Sequence, residues 1–163
     1  MTDMVDSDIQ HLLSSTDQSV FIREATADDA QSVLDIVAPV IARGDTYAID
    51  PQLSRESMRN FWFGERKKPF VALITERIVG TYFLTANQAG GGAHVANCGY
   101  ITSEAARGRG VARLMCEHSM ELARQAGFRA MQFNFVVSTN TSAIDLWKRL
   151  GFDVIGTIPD GFK

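Results

Sequence analysis

The residues best suited to chemistry form a loop that reads Arg107-Gly108-Arg109-Gly110. Its two glycines let the backbone turn tightly and approach a ligand with no Cβ in the way. A helical pattern begins after the loop, and the first N–H groups of a helix have no acceptor inside it, which makes that end electropositive. The arginine side chains, with Arg113 one turn later, add full positive charge. The loop therefore predicts an anion site with phosphate as its natural occupant.

The elements around this loop must hold it in place. An apolar strand over residues 94–101 leads into it, and a helix over residues 109–126 leads out of it and stops at Gly127. The nearly continuous apolar segment 128–137 that follows is typical of a strand covered on both faces. A strand, a helix and a strand in this order predict a parallel βαβ unit.

The chain before this unit predicts a short strand and then two helices, capped by Thr26 and Ser54. Apolar segments 70–74 and 78–84 follow and predict a hairpin. The turn before the hairpin, residues 66–69, reads Arg-Lys-Lys-Pro and is interpreted as a solvated basic turn. Three of the strands are thus expected to be antiparallel neighbours.

Other loops also bind phosphate or turn a strand into a helix. A P-loop needs Gly-Lys followed by Ser or Thr, which this loop lacks. The dinucleotide fingerprint needs a third small residue, and Arg113 stands at that position. An ordinary strand-to-helix turn with glycines at the bend stays open on these residues alone.

A second pattern reinforces the first. Residues 107–112 contain Arg-x-x-Gly-x-Ala, and residues 140–152 read Asn-x-x-Ala-x-x-Leu-Trp-x-x-x-Gly-Phe. Together, and separated by one strand, they resemble the two signatures of the GNAT superfamily of N-acetyltransferases. The resemblance covers roughly residues 20–158, with one departure, because Trp147 stands where the family usually has Tyr.

The resemblance implies a mixed α/β (α+β) fold. Its central sheet is mostly antiparallel, with six or seven strands and about four flanking helices, and the parallel βαβ unit lies around the coenzyme site. We expect residues 20–163 to form this single domain. Residues 1–19 hold four Asp and no Lys or Arg, and are expected to be a mobile acidic leader with a helical turn around residues 9–13. The family's seventh strand has no counterpart after Ile158, so we expect a last strand that is missing or truncated and a homodimer that covers the edge.

The resemblance also implies acetyl-CoA as co-substrate. In the family the loop grips the pyrophosphate, and the strand before it pairs with the pantetheine arm and donates an N–H to the oxyanion. The residues expected to bind the coenzyme are Tyr100, Ile101, Thr102, Arg107, Gly108, Arg109, Gly110, Val111, Ala112, Asn140 and Trp147.

An attacking amine must first lose its proton, so a base or a water relay is needed. Some family members carry a Glu thirteen residues before the Arg of the first signature. His94 stands at that position, and a histidine can accept a proton near neutral pH. Asn97 and Tyr100 are the other catalytic candidates, through an ordered water. The family's usual acid is the tyrosine replaced by Trp147, whose indole cannot donate a proton usefully, so the acid step stays open.

The acceptor is expected to be a primary amine of a small molecule or an amino acid, and Tyr47 and Asn134 are its candidate contacts. Two alternatives remain. A non-catalytic acyl-CoA sensor is favoured by Trp147, whereas a dinucleotide-binding reductase is disfavoured by Arg113 and by the antiparallel first half.

Composition bounds these readings. With 45% hydrophobic and 21% charged residues, the chain is globular rather than disordered. A net charge of −3 argues against a nucleic-acid partner, and no apolar run is long enough for a membrane span. No signal-peptide pattern is present, which predicts a cytoplasmic protein. Cys98 and Cys116 show no ligand spacing, so we expect buried thiols and no metal.

Overall fold

The computed structural model of the protein describes residues 19–162. Its five strands are β1 (Phe21–Glu24), β2 (Lys68–Ile74), β3 (Arg77–Ala86), β4 (Val95–Thr102) and β5 (Ala130–Met131). Its four helices are α1 (Ala30–Ala42), α2 (Arg55–Trp62), α3 (Val111–Gln125) and α4 (Thr141–Arg149). Residues 1–18, which hold most of the expected leader and its helical turn, lie outside the described residues.

The strands form one sheet in the order β1-β2-β3-β4-β5. The first three pairings are antiparallel, and β4 pairs with β5 in parallel. The parallel pair is connected through α3, because a parallel connection must cross from one end of the sheet to the other. The predicted mixed, mostly antiparallel α/β fold and its parallel βαβ unit are therefore confirmed.

The predicted count of six or seven strands was wrong for the described residues, which contain five. The apolar segment 128–137 is a strand only at Ala130–Met131, and residues 152–158 contain no strand. Val154, Ile155 and Ile158 are 66%, 81% and 63% exposed, so no neighbour covers them within residues 19–162. An apolar run becomes a strand only where another strand can bond its N–H and C=O groups.

Two cores lie on the two faces of the sheet. On one face, β3 and β4 side chains such as Tyr82 and Cys98 pack with Met115 of α3. On the other face, Val37 of α1 and Trp62 of α2 pack with partners from β2, β3 and β4. Because side chains alternate along a strand, β4 contributes residues to both cores.

Two helix ends follow the expected capping residues, whereas Thr26 precedes a 3₁₀ turn, Ala27–Asp29, and α1 begins only after Asp29. The Ser54 hydroxyl accepts from the Ser57 N–H at 3.1 Å, as a first-turn cap does. Gly127, just after α3, has a φ of +86°, which suits the glycine that ends a helix. Within the described residues, no helix is long and apolar enough to cross a membrane.

Candidate active site

The Arg-Gly loop connects a short 3₁₀ turn, Glu104–Ala106, to the start of α3. Gly108 and Gly110 adopt φ values of +74° and +75°, which residues with a Cβ rarely adopt. A Cβ built on either glycine would meet no other atom within 4 Å. The glycines therefore serve the backbone turn and leave open space beside it.

The start of α3 presents both N–H groups and cations. The first helical bond of α3 runs from the Leu114 N–H to the Gly110 carbonyl at 3.0 Å, so the earlier N–H groups have no acceptor inside the helix. Arg107 lies 3.7 Å from Glu104 and Arg113 lies 3.0 Å from Glu117, and both guanidinium side chains are more than half exposed. This end of the helix can hold an anion.

The backbone groups of β4 alternate between its two sides. The Val95 carbonyl accepts from the Asn87 N–H at 2.7 Å, and the Ser103 N–H donates to a carbonyl of β3 at 2.8 Å. The Ala96 carbonyl points the other way and accepts from the Gln132 N–H at 2.9 Å. Odd-numbered residues of β4 thus bond toward β3, and even-numbered residues turn their backbone toward β5.

The even-numbered side of β4 becomes an open edge after Ala96. Pairing with β5 ends at Ala96 and Met131, and no other strand of residues 19–162 lies along that edge. Cys98, Tyr100 and Thr102 therefore point their backbone N–H and C=O groups to a side that lacks a strand partner. An extended ligand can bond there as a further strand would.

Tyr47 reaches this open edge from the loop after α1. Its hydroxyl donates to the Tyr100 carbonyl at 3.2 Å, and its ring packs edge-on against Phe61 and Trp62. Burial raises the pKa of the Tyr47 hydroxyl, so it stays a neutral donor. Tyr47 thus fixes the loop against the middle of β4.

Gly99 is the β4 residue that faces the Tyr47 and Phe83 side chains. A Cβ on Gly99 would lie 2.7 Å from the Phe83 ring and 3.1 Å from the Tyr47 hydroxyl. The aromatic rings therefore lie directly against the β4 backbone, at the level of the open edge.

The Tyr100 side chain points away from the Tyr47 loop and packs with the core beneath α3. Its hydroxyl lies 2.7 Å from the Ser119 hydroxyl and 3.7 Å from the Met131 sulfur. Burial raises the pKa of the Tyr100 phenol well above its ordinary value. At this residue the backbone, rather than the phenol, faces the open edge.

Trp147 of α4 closes the far side of the site. Its ring lies 5.1 Å from the Tyr100 ring and 5.0 Å from the Phe133 ring, measured between centroids. At the start of the same helix, the Asn140 side chain accepts from the Ala143 N–H at 3.3 Å. Asn140 is thus a helix cap, and Trp147 is a packing residue beside β4.

The remaining sequence candidates are spread over the sheet. His94 is exposed just before β4, with its ring nitrogen 3.0 Å from the Gly91 carbonyl, and six residue steps along the strand place it about 20 Å from Tyr100. The Asn97 amide donates to Asn87 at 3.3 Å, on the face of the sheet that carries Phe61 and Phe83. Asn134 is exposed after β5. The structure brings Tyr47 to the Tyr100 carbonyl and Trp147 to the Tyr100 ring, whereas His94 lies at the other end of β4.

Sequence reasoning missed a cleft of about 630 Å³ beside the aromatic residues. Lys67 lines it, with its ammonium 3.6 Å from the Phe61 ring centroid and 4.0 Å from that of Phe83. The solvated-turn interpretation was wrong for this residue, which is partly buried, whereas the neighbouring Lys68 is exposed. The only sequence signal was the order Lys-Lys before a strand, which does not say which lysine turns inward.

Both cysteines are buried, and burial raises the pKa of Cys98 to about 12 and of Cys116 to about 11. They are therefore poor nucleophiles. Across residues 19–162, no group of three His, Cys, Asp or Glu side chains is arranged to hold a metal ion.

Solved structures resemble this one closely. A GCN5-related N-acetyltransferase from Kribbella flavida superposes with a TM-score of 0.83 at 40% sequence identity, covering 88% of each chain. The yncA protein from Salmonella typhimurium, solved with its cofactor acetyl-CoA, has a TM-score of 0.79 at 17% identity, covering 89% of this chain and 86% of the other. The second likeness is one of fold alone.

Sequence comparison finds acetyltransferases as well. N-acetyltransferase aca1 from Schizosaccharomyces pombe is 29% identical over an alignment 136 residues long, which covers 74% of this chain and 65% of that relative. The matched part thus spans less than two thirds of the relative's length. The model of the Acetyltransferase (GNAT) family matches residues 39–152, which are more than half of the chain. The chain therefore belongs to the GNAT family of acetyltransferases.

Proposed function

We propose that this protein transfers an acetyl group from acetyl-CoA to a primary amine of a small molecule or an amino acid, by direct attack of the amine. The single observation that carries the proposal is that an open strand edge and an anion-binding loop follow each other directly along the chain. The open edge of β4, centred on Tyr100, runs directly into the Arg-Gly loop and the start of α3. A ligand with an extended arm and a pyrophosphate fits that arrangement end to end.

The loop residues fit the phosphates. The space beside Gly108 and Gly110 is open, the first N–H groups of α3 lack helical acceptors, and the exposed Arg107 adds charge. A bound acetyl-CoA supplies an activated thioester, whose carbonyl carbon accepts the amine. The N–C bond forms first and gives a tetrahedral oxyanion; the C–S bond then breaks, the amine loses its proton, and the leaving thiolate takes up a proton, so that free thiol is the second product.

The alternation of β4 narrows the choice of oxyanion donor. The backbone of Ile101 turns toward β3, where it pairs with Thr81. The N–H groups of Tyr100 and Thr102 turn toward the open edge instead. We therefore assign oxyanion stabilisation to one of these two amides, with the Tyr100 carbonyl, held by Tyr47, beside it.

The amine proton needs a path out of the site. Asn97 is the candidate whose side chain shares the aromatic face with Tyr47, and its amide is already held by Asn87. This arrangement supports a water relay ordered by Asn97. His94 lies at the other end of the strand and would act only through a longer chain of water.

The direct test is a screen of primary amines and amino acids with acetyl-CoA, read as free thiol. Calorimetry in parallel gives the Kd of acetyl-CoA. We expect acetyl-CoA binding and thiol release that depends on the acceptor. Thermal shifts with NAD(P)H but not with acetyl-CoA would contradict the proposal.

The alternative is an acyl-CoA sensor without turnover. Trp147 favours it, because its indole packs against Tyr100 and offers no hydroxyl to the leaving thiolate. Binding of acetyl-CoA with no turnover on any acceptor would support this alternative. A homodimer stays a prediction, to be checked by light scattering.

A further inference from the structure

The cleft beside the aromatic residues contains a cation whose charge no described carboxylate neutralises. The Lys67 ammonium donates to the Phe61 carbonyl in the last turn of α2, which explains its inward direction. An ammonium has three N–H donors, so two remain after this bond. Among residues 19–162, no Asp or Glu lies within ion-pair distance of Lys67, whereas Lys68 lies 3.5 Å from Glu24.

The surroundings of the ammonium suit an organic anion. The cleft is lined by small residues and by uncharged polar residues including Thr85 and Asn87, and its charged members besides Lys67 are Glu65 and Arg66 from the same turn. The rings of Phe61 and Phe83 hold the ammonium in place through cation–π contact. A positioned, incompletely bonded cation in a cleft of this size can anchor a carboxylate.

The Lys67 ammonium lies on the same face of the sheet as Phe61 and Phe83, which is also the face toward which Gly99 of β4 turns. Lys67 touches Phe83, and the Phe83 ring lies against Gly99, which precedes Tyr100 on the open edge of β4. Asn87 lines the cleft, and its side chain accepts a hydrogen bond from the Asn97 amide of β4. An acceptor held at Lys67 would therefore lie on the aromatic side of the strand that we assign to the thioester.

We propose that Lys67 binds the carboxylate of the acceptor, so that the acceptor class is amino acids rather than simple amines. This inference rests on the proposed function and makes Lys67 a specificity-determining residue. The carboxylate accepts from the ammonium beside its bond to the Phe61 carbonyl, and the amine of the same molecule is left to face the thioester.

The charge state of Lys67 allows this role near neutral pH. Burial lowers the pKa of its ammonium to about 8, so the group is mostly charged at pH 7 and neutral well above pH 8. Anchoring of a carboxylate is thus expected to weaken as pH rises through about 8. A general base at this position would show the opposite dependence.

The test compares Lys67→Met with Lys68→Met as the matched control. Methionine keeps an unbranched stem over the rings but removes the charge, and the control removes an exposed lysine one residue away. The acceptors are the common L-amino acids and their α-carboxamides, with free thiol as the readout. We expect Lys67→Met to lower kcat/KM for amino acids by about tenfold or more, the order of a lost hydrogen bond to a charged group. The carboxamides and the control variant should be unaffected.

A pH profile adds a readout that a structural role would not change. The ratio of wild-type to Lys67→Met kcat/KM for one amino acid cancels the ionisation of the acceptor and of Glu65 and Arg66. We expect this ratio to fall toward one as pH rises through about 8. A ratio that does not depend on pH, or equal losses for amino acids and carboxamides, would overturn the proposal.

Failure of the proposed function can be told apart from failure of this inference. If acetyl-CoA binds but no acceptor is acetylated, the enzymatic proposal fails. The carboxylate site is then judged by the melting shift that amino acids cause in the presence of coenzyme A. The shift must be lost in Lys67→Met and kept in Lys68→Met, and no shift in the wild type refutes the site.

Discussion

Gly110 and Gly127 bracket α3 and offer a matched pair of substitutions. Their φ values are +75° and +86°, and a Cβ on either would meet nothing within 4 Å. Gly110→Ala and Gly127→Ala therefore impose the same kind of backbone strain without a clash. Only Gly110 stands at the proposed phosphate end, since the helix of 15 residues separates the two glycines by about 22 Å.

The stability cost follows from the conformation. A residue with a Cβ in the left-handed region costs about 1–2 kcal/mol. Part of this is offset by about 0.4–1 kcal/mol, because alanine also restricts the unfolded chain. We expect each variant to lose about 1 kcal/mol of unfolding free energy, an amount that leaves a folded protein to assay.

The two variants should differ in coenzyme affinity. The added Cβ of Gly110→Ala enters the open space that the proposed pyrophosphate fills, whereas Gly127→Ala changes nothing there. We expect the Kd of acetyl-CoA to rise by about tenfold or more for Gly110→Ala, which is about 1.4 kcal/mol, and to stay unchanged for Gly127→Ala. Urea unfolding and calorimetric titration measure the two quantities. A wild-type Kd for Gly110→Ala, or equal weakening in both variants, would refute a phosphate role for the loop.

Two further substitutions test the surroundings of the site, and a third tests an ion pair beside β1, at the other edge of the sheet. Tyr47→Phe removes the donor to the Tyr100 carbonyl, and urea unfolding should show a loss of about 1 kcal/mol together with a raised KM for the amine. Gly99→Ala places a Cβ 2.7 Å from a neighbouring ring, so we expect a loss of about 1–3 kcal/mol, and a wild-type melting temperature would show that the ring moves freely. Asp29 is bonded to Arg23, chiefly by a side-chain hydrogen bond, which lowers the pKa of its carboxyl from 3.8 to about 2. Because the folded pKa is the lower one, this stabilisation is present above about pH 4 and is lost as pH falls through about 2. Asp29→Asn should therefore lower the free energy of unfolding, measured with urea, by about 1.5–3 kcal/mol at neutral pH and by almost nothing near pH 2.

The sequence predicted most of the fold because the relevant signals are local. Ser54 and Asn140 bond the first turn of their helices, and Gly127 ends α3 in the left-handed region. The hairpin of β2 and β3 was also predicted, since its two apolar segments are separated by a short turn. Each of these features depends on a few neighbouring residues.

The strands expected after α3 could not be predicted in the same way. The apolar pattern after β5 is as strong as that of β3, yet only Ala130–Met131 is a strand, because strand formation also needs a partner placed by the rest of the chain. The buried stripe of α3 likewise includes Cys116 and Ser119, whose burial follows from the sheet beneath the helix.

For the site, the sequence by itself determined the Arg-Gly loop, its glycines and the second signature, because loop chemistry and helix capping are set by residue type and spacing. Tertiary structure alone decided which backbone groups of β4 face the open edge, since this depends on the register with β3. It also decided that Tyr47 meets the Tyr100 carbonyl, 53 residues away. Finally, it turned Lys67 into the cleft and Lys68 out to Glu24, because only packing against Phe61 and Phe83 distinguishes two adjacent lysines.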